Sequence, residues 1–225
     1  MAGFLVLSGG GEFQKGLEQA DQFALQQAGG KEAKVLIVTA GTNGTLLANN
    51  GLNWLRGLGA TTVETIPLPD HAGANREDTA ALLAGANLIY LAGNNPLILF
   101  ETLHDSRAWT AIRQAFAGGA TLVGANAGGM VLMEHLYDPD NAKIRAGLGM
   151  FPDTVFIPQF NGPGRKWAAH VQKLVPKALL VGIDEKVAIG GRGNDWQVLG
   201  RGWVTIYRQG KPYKYQGGQP FKMNP

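Results

Sequence analysis

Residues Thr121 to Met133 read TLVGANAGGMVLM, a short apolar run, a Gly-rich turn and a second apolar run. In the frame Gly124-Ala125-Asn126-Ala127-Gly128 the glycines stand four apart around a central residue. That is the spacing of the turn that lifts a reacting side chain between a strand and a helix, where nothing bulkier than glycine fits beside the bend. The central residue must accept positive φ, which Asn tolerates better than most non-glycine residues. The spacing therefore predicts a strand at 122–125, a sharp turn at Asn126 with φ above zero, and a helix over AGGMVLMEHL. An amide stands where a hydrolase of this layout carries a hydroxyl or thiol.

With 33 Gly in 225 residues, a glycine pair at this spacing arises by chance about five times, so an ordinary Gly-rich β-α turn is the competing reading. The order of elements gives the motif its context. Phe4–Leu7 reads as a strand, Gly9-Gly10-Gly11 as a turn, and Glu12–Gln27 as a helix stopped by Gly29-Gly30. Strands are predicted at Lys34–Thr39, Thr62–Ile66 and Leu88–Leu91, with a helix around Leu46–Leu58 and helical segments from Pro96 to Phe116. Pro67 to Gly73 reads as a loop, Asn75 and Asp78 as a capping arrangement for a helix through Leu83, and Asp105 or Ser106 as an N-cap. Continuous apolar strands alternating with helices imply an α/β fold, a doubly wound and mostly parallel sheet covered on both faces.

Sites in such sheets lie at the carboxyl ends of the strands, here the loops at 8–12, 40–45, 93–96 and 124–128. Beyond residue 150, Val155–Ile157, Leu179–Ile183, Val187–Ile189, Gln197–Leu199 and Val204–Tyr207 predict a short C-terminal antiparallel β extension. Neither a repeat nor a linker interrupts the chain, and residues 1–225 are expected to form a single domain.

Composition narrows the chemistry. The absence of Cys excludes disulfides, thiolate metal sites and a Cys nucleophile. Serine occurs only at Ser8 and Ser106, neither in an elbow setting. His71, His104, His135 and His170 are scattered, so no metal site and no cofactor is expected. Net charge is +3, of which Arg208, Lys211, Lys214 and Lys222 in the acid-free segment 208–225 supply +4. A few dispersed charges read as a solvated edge, and nucleic acid is not an expected partner. The amino terminus has no basic signal-type region and no run reaches membrane-spanning length, so a cytoplasmic protein without a membrane partner is expected.

Four segments resemble, in order, the family of serine peptidases that includes cyanophycinase and aspartyl dipeptidase (dipeptidase E). They are Gly9-Gly10-Gly11-Glu12, Leu91-Ala92-Gly93-Asn94-Asn95, Gly124 to Gly128, and Gly182-Ile183-Asp184-Glu185. Gly147 to Pro152 and Val198 to Gly202 also match in place, so the resemblance spans nearly the whole chain. It implies a fold similar to class I glutamine amidotransferases, cleavage next to acidic residues, and a triad of Ser, His and an acid. The family's elbow Ser falls on Asn126, and its D-x-H-F segment on Ile157-Pro158-Gln159-Phe160, which puts Gln159 in the place of the His.

An Asn amide is not deprotonated near neutrality, and Gln does not shuttle a proton, so both halves of the nucleophile–base pair are missing. The resemblance still implies an oxyanion-type nest from the backbone N–H of Ala127 and one near Gly93-Asn94. Asn94, where the family has Gly, is expected to narrow the pocket that Asn95, Gly128, Gly11, Glu12 and Arg165 complete. Glu134, Asp138 and Asp140 are candidates for the acid, and Thr42 is the best spare hydroxyl.

Three readings remain open at this point. One is a catalytically silent homologue keeping its pocket for a small acidic peptide or a protein partner. The second is a hydrolase of acidic peptides working through non-standard groups such as Thr42 with a distant His. The third is a structural or assembly protein acting through its basic C-terminal β extension, for which an oligomer is compatible.

Overall fold

The computed structural model describes residues 3–40 and 44–223. The first half of the chain alternates strands β1 (Leu5–Ser8), β2 (Lys34–Ala40), β3 (Thr62–Leu68), β4 (Leu88–Ala92) and β5 (Thr121–Ala125) with helices. The helices are α1 (Glu18–Gln27), α2 (Gly44–Gly57), α3 (His71–Ala74), α4 (Glu77–Ala84), α5 (Pro96–Leu103), α6 (Arg107–Ala117) and α7 (Ala127–Leu132). The second half runs β6 (Met133–Asp138), β7 (Lys143–Ala146), β8 (Phe151–Ile157), α8 (Pro163–Leu174), β9 (Leu179–Ile183), β10 (Val187–Arg192), β11 (Asp195–Gly200), β12 (Trp203–Arg208), β13 (Lys211–Gln216) and β14 (Pro220–Lys222).

These strands build two sheets. The larger has the order β14-β11-β10-β1-β5-β4-β2-β3, parallel from β1 to β3 and extended by antiparallel strands beside β1. Successive side chains on a strand point to opposite faces. Leu5, Leu7, Leu36, Val38, Ile89 and Leu91 accordingly enter one buried cluster, while Val6, Val35, Ile37, Leu88, Tyr90 and Val123 enter another. The second cluster is closed by α1 and α2, which contribute Leu25 and Leu55. The first is closed by α5, α6 and α7, through residues such as Leu99, Trp109 and Val131, and by a second sheet.

That second sheet has the order β13-β12-β9-β8-β6-β7, in which β8 runs parallel to β6 and β9 and the other pairs are antiparallel. Its inner face adds Phe156, Val181, Val204 and Ile206 to the core shared with the first sheet. Its outer face packs Val155, Ile157 and Leu180 under Val171 of α8.

The α/β class, the parallel order and the antiparallel strands late in the chain agree with the sequence reading, and several local expectations are corrected. α1 begins at Glu18, not Glu12, because Phe13 (φ 59°) and Gly16 (φ 112°) turn the chain first and bury Glu12 and Phe13 under the loop. His71–Ala74 forms a helical turn capped by Asp70, whose carboxylate accepts the Gly73 N–H at 2.8 Å, where a loop was expected. No side chain caps α4: Asn75 reaches back to the His71 carbonyl and accepts from the Arg107 N–H, while Asp78 pairs with Arg76.

The helix expected over AGGMVLMEHL stops at Leu132, and Met133–Asp138 is strand β6. Bonds from Leu148 N to Val131 O and from Met150 N to Leu132 O draw this segment into the sheet, so long-range pairing overrides local helical pattern. The C-terminal β region is larger than expected, split between both sheets and interrupted by α8.

Candidate active site at the elbow

Asn126 sits between β5 and α7 with φ 50° and ψ −116°. The strand-turn-helix geometry expected of the spacing is thus present, with the central residue in positive φ. The glycines are there for steric reasons. A Cβ on Gly128 would lie 2.0 Å from the Leu91 carbonyl oxygen, and one on Gly124 would lie 2.9 Å from the Gly129 Cα. Helix α7 thereby presses against β4 and β5 closely enough to force the bend. The Asn126 N–H donates to the Ser8 carbonyl at 3.1 Å, and its own carbonyl accepts from Met130 N at 3.1 Å. Its side chain caps nothing.

Gln159 reaches the same place from the other sheet. It follows β8, has φ 49°, and its N–H donates to the Gly9 carbonyl at 2.8 Å. Asn126 and Gln159 are therefore tied to the consecutive carbonyls of Ser8 and Gly9 at the carboxyl end of β1. The Gln159 side chain lies along Gly10: a Cβ there would be 3.4 Å from the Gln159 Cγ. Gly10 (φ 109°) and Gly11 (φ 79°) adopt backbone shapes that keep the loop flat beneath it.

A third loop closes the arrangement. Lys186 N donates to the Gly10 carbonyl at 3.0 Å, Phe160 N to the Ile183 carbonyl at 2.9 Å, and Glu185 N to Asn161 Oδ1 at 3.0 Å. The carboxylates that the fold brings to these loops are Glu12, Asp184 and Glu185. The signal for the last two was the Gly182 to Glu185 segment itself, one of the four segments that carry the family resemblance. Of the three expected acid candidates, Asp138 is buried and bonded to Arg145 at 2.7 Å, Glu134 accepts the Asp153 N–H at 2.8 Å, and Asp140 is exposed. None of these bonds reaches the three loops.

Electrostatics around the loops mixes buried acid with exposed base. Burial pushes the Asp184 carboxyl up, opposed by a bond from the Trp203 N–H and by the charges of Arg165 and Lys214. Arg165 is exposed in the first turn of α8. Glu12 is buried and its pKa is raised by desolvation, against the pull of backbone N–H groups at Glu12 and Gly11; its Oε1 has no hydrogen-bond partner among the described residues.

Of the oxyanion nest expected from Ala127 and Gly93-Asn94, one donor is used within the turn. The Ala127 N–H donates to the Gly93 carbonyl at 3.2 Å, so the donor that would stabilise a developing oxyanion is already engaged. Asn94 is exposed. Asn95 serves α5 instead, its side-chain oxygen accepting from Leu97 N and Ile98 N at 3.0 and 3.1 Å. Thr42 lies outside the described residues.

His71 and His170 each bond a backbone carbonyl, of Thr102 and Ala142 respectively, and the His104 ring packs tilted against Phe100. His135 joins Glu134 and Asp153 in a group whose potential ligand atoms lie within 4.8 Å of one another, with both carboxylates exposed.

Comparisons with known proteins give the family and the fold. The model of peptidase family S51 matches residues 4–199. Cyanophycinases of Synechococcus elongatus and Thermosynechococcus vestitus are each 28% identical over 222 residues, covering 91% of this chain and 67% of theirs. The crystal structure of a peptidase from an acI-B1 Actinobacterium superposes with a TM-score of 0.87 at 24% identity, over 99% of this chain and 97% of that one. A putative peptidase E from Listeria monocytogenes EGD-e gives 0.66 at 18% identity, over 89% of this chain and 99% of its own. By the extent of the family match, which spans most of its length, this chain belongs to peptidase family S51.

Proposed function

We propose that this chain is a non-hydrolytic member of its serine-peptidase family, and that the elbow end of the sheet binds an acidic peptide or an acidic segment of a protein without cleaving it. The observation that carries the reading is Asn126 in the strained elbow position with the neighbouring Ala127 N–H spent on the Gly93 carbonyl. Acyl transfer needs an activated hydroxyl or thiol and a free donor aimed at the tetrahedral oxygen, and neither stands there. Gln159, tied beside the elbow through Gly9, supplies no base. Arg165 and Lys214, both acting on Asp184, give the rim the charge that favours a carboxylate-bearing ligand.

The test has two arms. A serine-directed fluorophosphonate leaves the protein unlabelled, and Asp-containing dipeptides and multi-arginyl-polyaspartate are not hydrolysed. A fluorescent Asp-rich peptide binds in an anisotropy titration, at least tenfold more weakly to Arg165→Glu. Turnover that survives repurification overturns the silent reading, and binding indifferent to Arg165→Glu overturns the placement of the ligand.

A further inference from the structure

The smaller sheet is irregular where β6 meets β8. Met133 pairs with Phe151 and His135 with Val155, so three residues of β8, Pro152 to Thr154, stand opposite Glu134 alone. Asp153 lies in the middle of this bulge with φ 47°, and its N–H donates to Glu134 Oε2 at 2.8 Å. Consecutive residues of a regular strand point to opposite faces, whereas a bulge re-aims side chains locally. Here Glu134, His135 and Asp153 converge, each offering one potential ligand atom, and these atoms lie within 4.8 Å of one another. His135 Nε2 is 3.9 Å from Asp153 Oδ1, too far for a hydrogen bond, and the His135 ring makes no hydrogen bond among the described residues.

We propose that Glu134, His135 and Asp153 form a binding site for one divalent transition-metal ion of the Zn²⁺ type. An imidazole with two carboxylates suits such an ion, whereas Mg²⁺ and Ca²⁺ favour oxygen ligands alone. Ligands about 2.1 Å from a tetrahedral ion stand about 3.4 Å apart, so the 3.9 Å gap from His135 to Asp153 has to close by only about 0.5 Å. The His135 side chain is 22% exposed and that of Asp153 84%, so the sheet holds the ring while the carboxylate is free to swing onto the ion. The bond from Asp153 N engages Glu134 Oε2 and leaves the other oxygen of that carboxylate for the metal. Lys177 and Lys211 share a groove with Asp153, yet neither forms an ion pair with it among the described residues. Three protein ligands leave at least one coordination position open to water or a further ligand. Asp153 arrives from another strand, which is why the scattered histidines gave no sign of the group in the sequence. The site shares no residue with the elbow loops and is independent of whether the elbow hydrolyses anything.

The experiment strips the full chain with a chelator and titrates it with Zn²⁺, and separately with Mg²⁺, read by calorimetry and by the rise in Tm that a ligand of the native state produces. The expected result is saturable one-to-one binding of Zn²⁺ and none of Mg²⁺ at the same concentrations. His135→Ala removes the imidazole and Asp153→Asn the charge of the mobile carboxylate; circular dichroism establishes that each is folded, and either should bind Zn²⁺ at least tenfold more weakly. His104, whose Nδ1 lies 3.3 Å from Asp105 Oδ2, is the control for a surface His–Asp pair that lacks a third ligand, and His104→Ala should leave the affinity unchanged. Co²⁺ gives a second readout, a visible ligand-field absorption that is present in the wild-type chain and lost in His135→Ala. Absence of saturable Zn²⁺ binding, equal binding of Mg²⁺, undiminished affinity in a folded His135→Ala or Asp153→Asn, or loss of binding in His104→Ala overturns the proposal.

Discussion

Asn126 holds a backbone conformation that costs on the order of 1–3 kcal/mol for a non-glycine residue and persists only where its surroundings over-determine it. Those surroundings are Gly124 and Gly128, and their spacing made the bend legible in the sequence. What the sequence did not disclose is where the Ala127 N–H goes, because its partner is the Gly93 carbonyl, 34 residues earlier in the chain. Two predictions belong to this scale. Asn126→Ser alone should react no faster than wild type with a fluorophosphonate, since a Ser without its base recovers little and triad members act as a unit. Only Asn126→Ser with Gln159→His should show a trace of acyl-enzyme by intact-mass measurement; ready labelling of the single variant would mean that a base other than residue 159 is in place. Gly128→Ala should lower stability by about 3 kcal/mol in denaturant titrations, because its Cβ would have to push the Leu91 carbonyl aside.

Among the elements, the parallel strands were legible because both of their faces are buried and their apolar runs are continuous. The helix starts were not. α1 begins six residues later than its pattern indicated, because Phe13 and Gly16 turn the chain first, and its buried face holds a polar group that periodicity does not see. Asp21, 2% exposed on α1, accepts the Trp54 Nε1–H from α2 at 2.7 Å, with the Tyr90 phenol and Glu12 close enough to act on its charge. Burial raises the Asp21 pKa from 3.8 to about 7, against the lowering effect of the bond from Trp54. With the folded value above the unfolded one, the native state holds the extra proton between those values. Its contribution to stability is full below the unfolded pKa and is lost as pH rises through about 7. Above pH 7 the ionised group costs about 4 kcal/mol at 1.36 kcal/mol per unit. Asp21→Asn keeps an acceptor for Trp54 and removes the charge. It should stabilise the protein at pH 8.5 by a few kcal/mol, by about four-tenths of that at pH 5, and negligibly below about pH 3. A stability difference that stays constant with pH would show that Asp21 is not the titrating group.

At the scale of the whole molecule, the sequence showed the chain beyond residue 150 as a C-terminal extension and the charges of residues 208–225 as a solvated edge, and both descriptions missed how the sheets are joined. Short strands with few apolar residues carry little signal for their partners. β13 is almost wholly exposed, and β14 buries only Phe221. Yet Arg208, at the end of β12 in the smaller sheet, donates to the carbonyls of Lys222 and Met223 at 2.6 and 3.1 Å, one on β14 of the larger sheet and one just beyond it. Tyr215 of β13 stacks on Phe221 of β14 with ring centroids 4.5 Å apart. The charge that looked like a solvated edge thus includes the guanidinium that stitches the sheets together. Phe221 is 7% exposed and faces Trp196 across the β11–β14 pair. Truncating a buried Phe to Ala costs about 3–5 kcal/mol, and a site at the sheet's edge relaxes more easily than one at its centre. Phe221→Ala is therefore expected to lower the unfolding free energy by about 3 kcal/mol with an unchanged denaturant slope. A loss below about 1 kcal/mol would return residues 208–223 to the status of a solvated tail, and the inter-sheet core would then have to close without them.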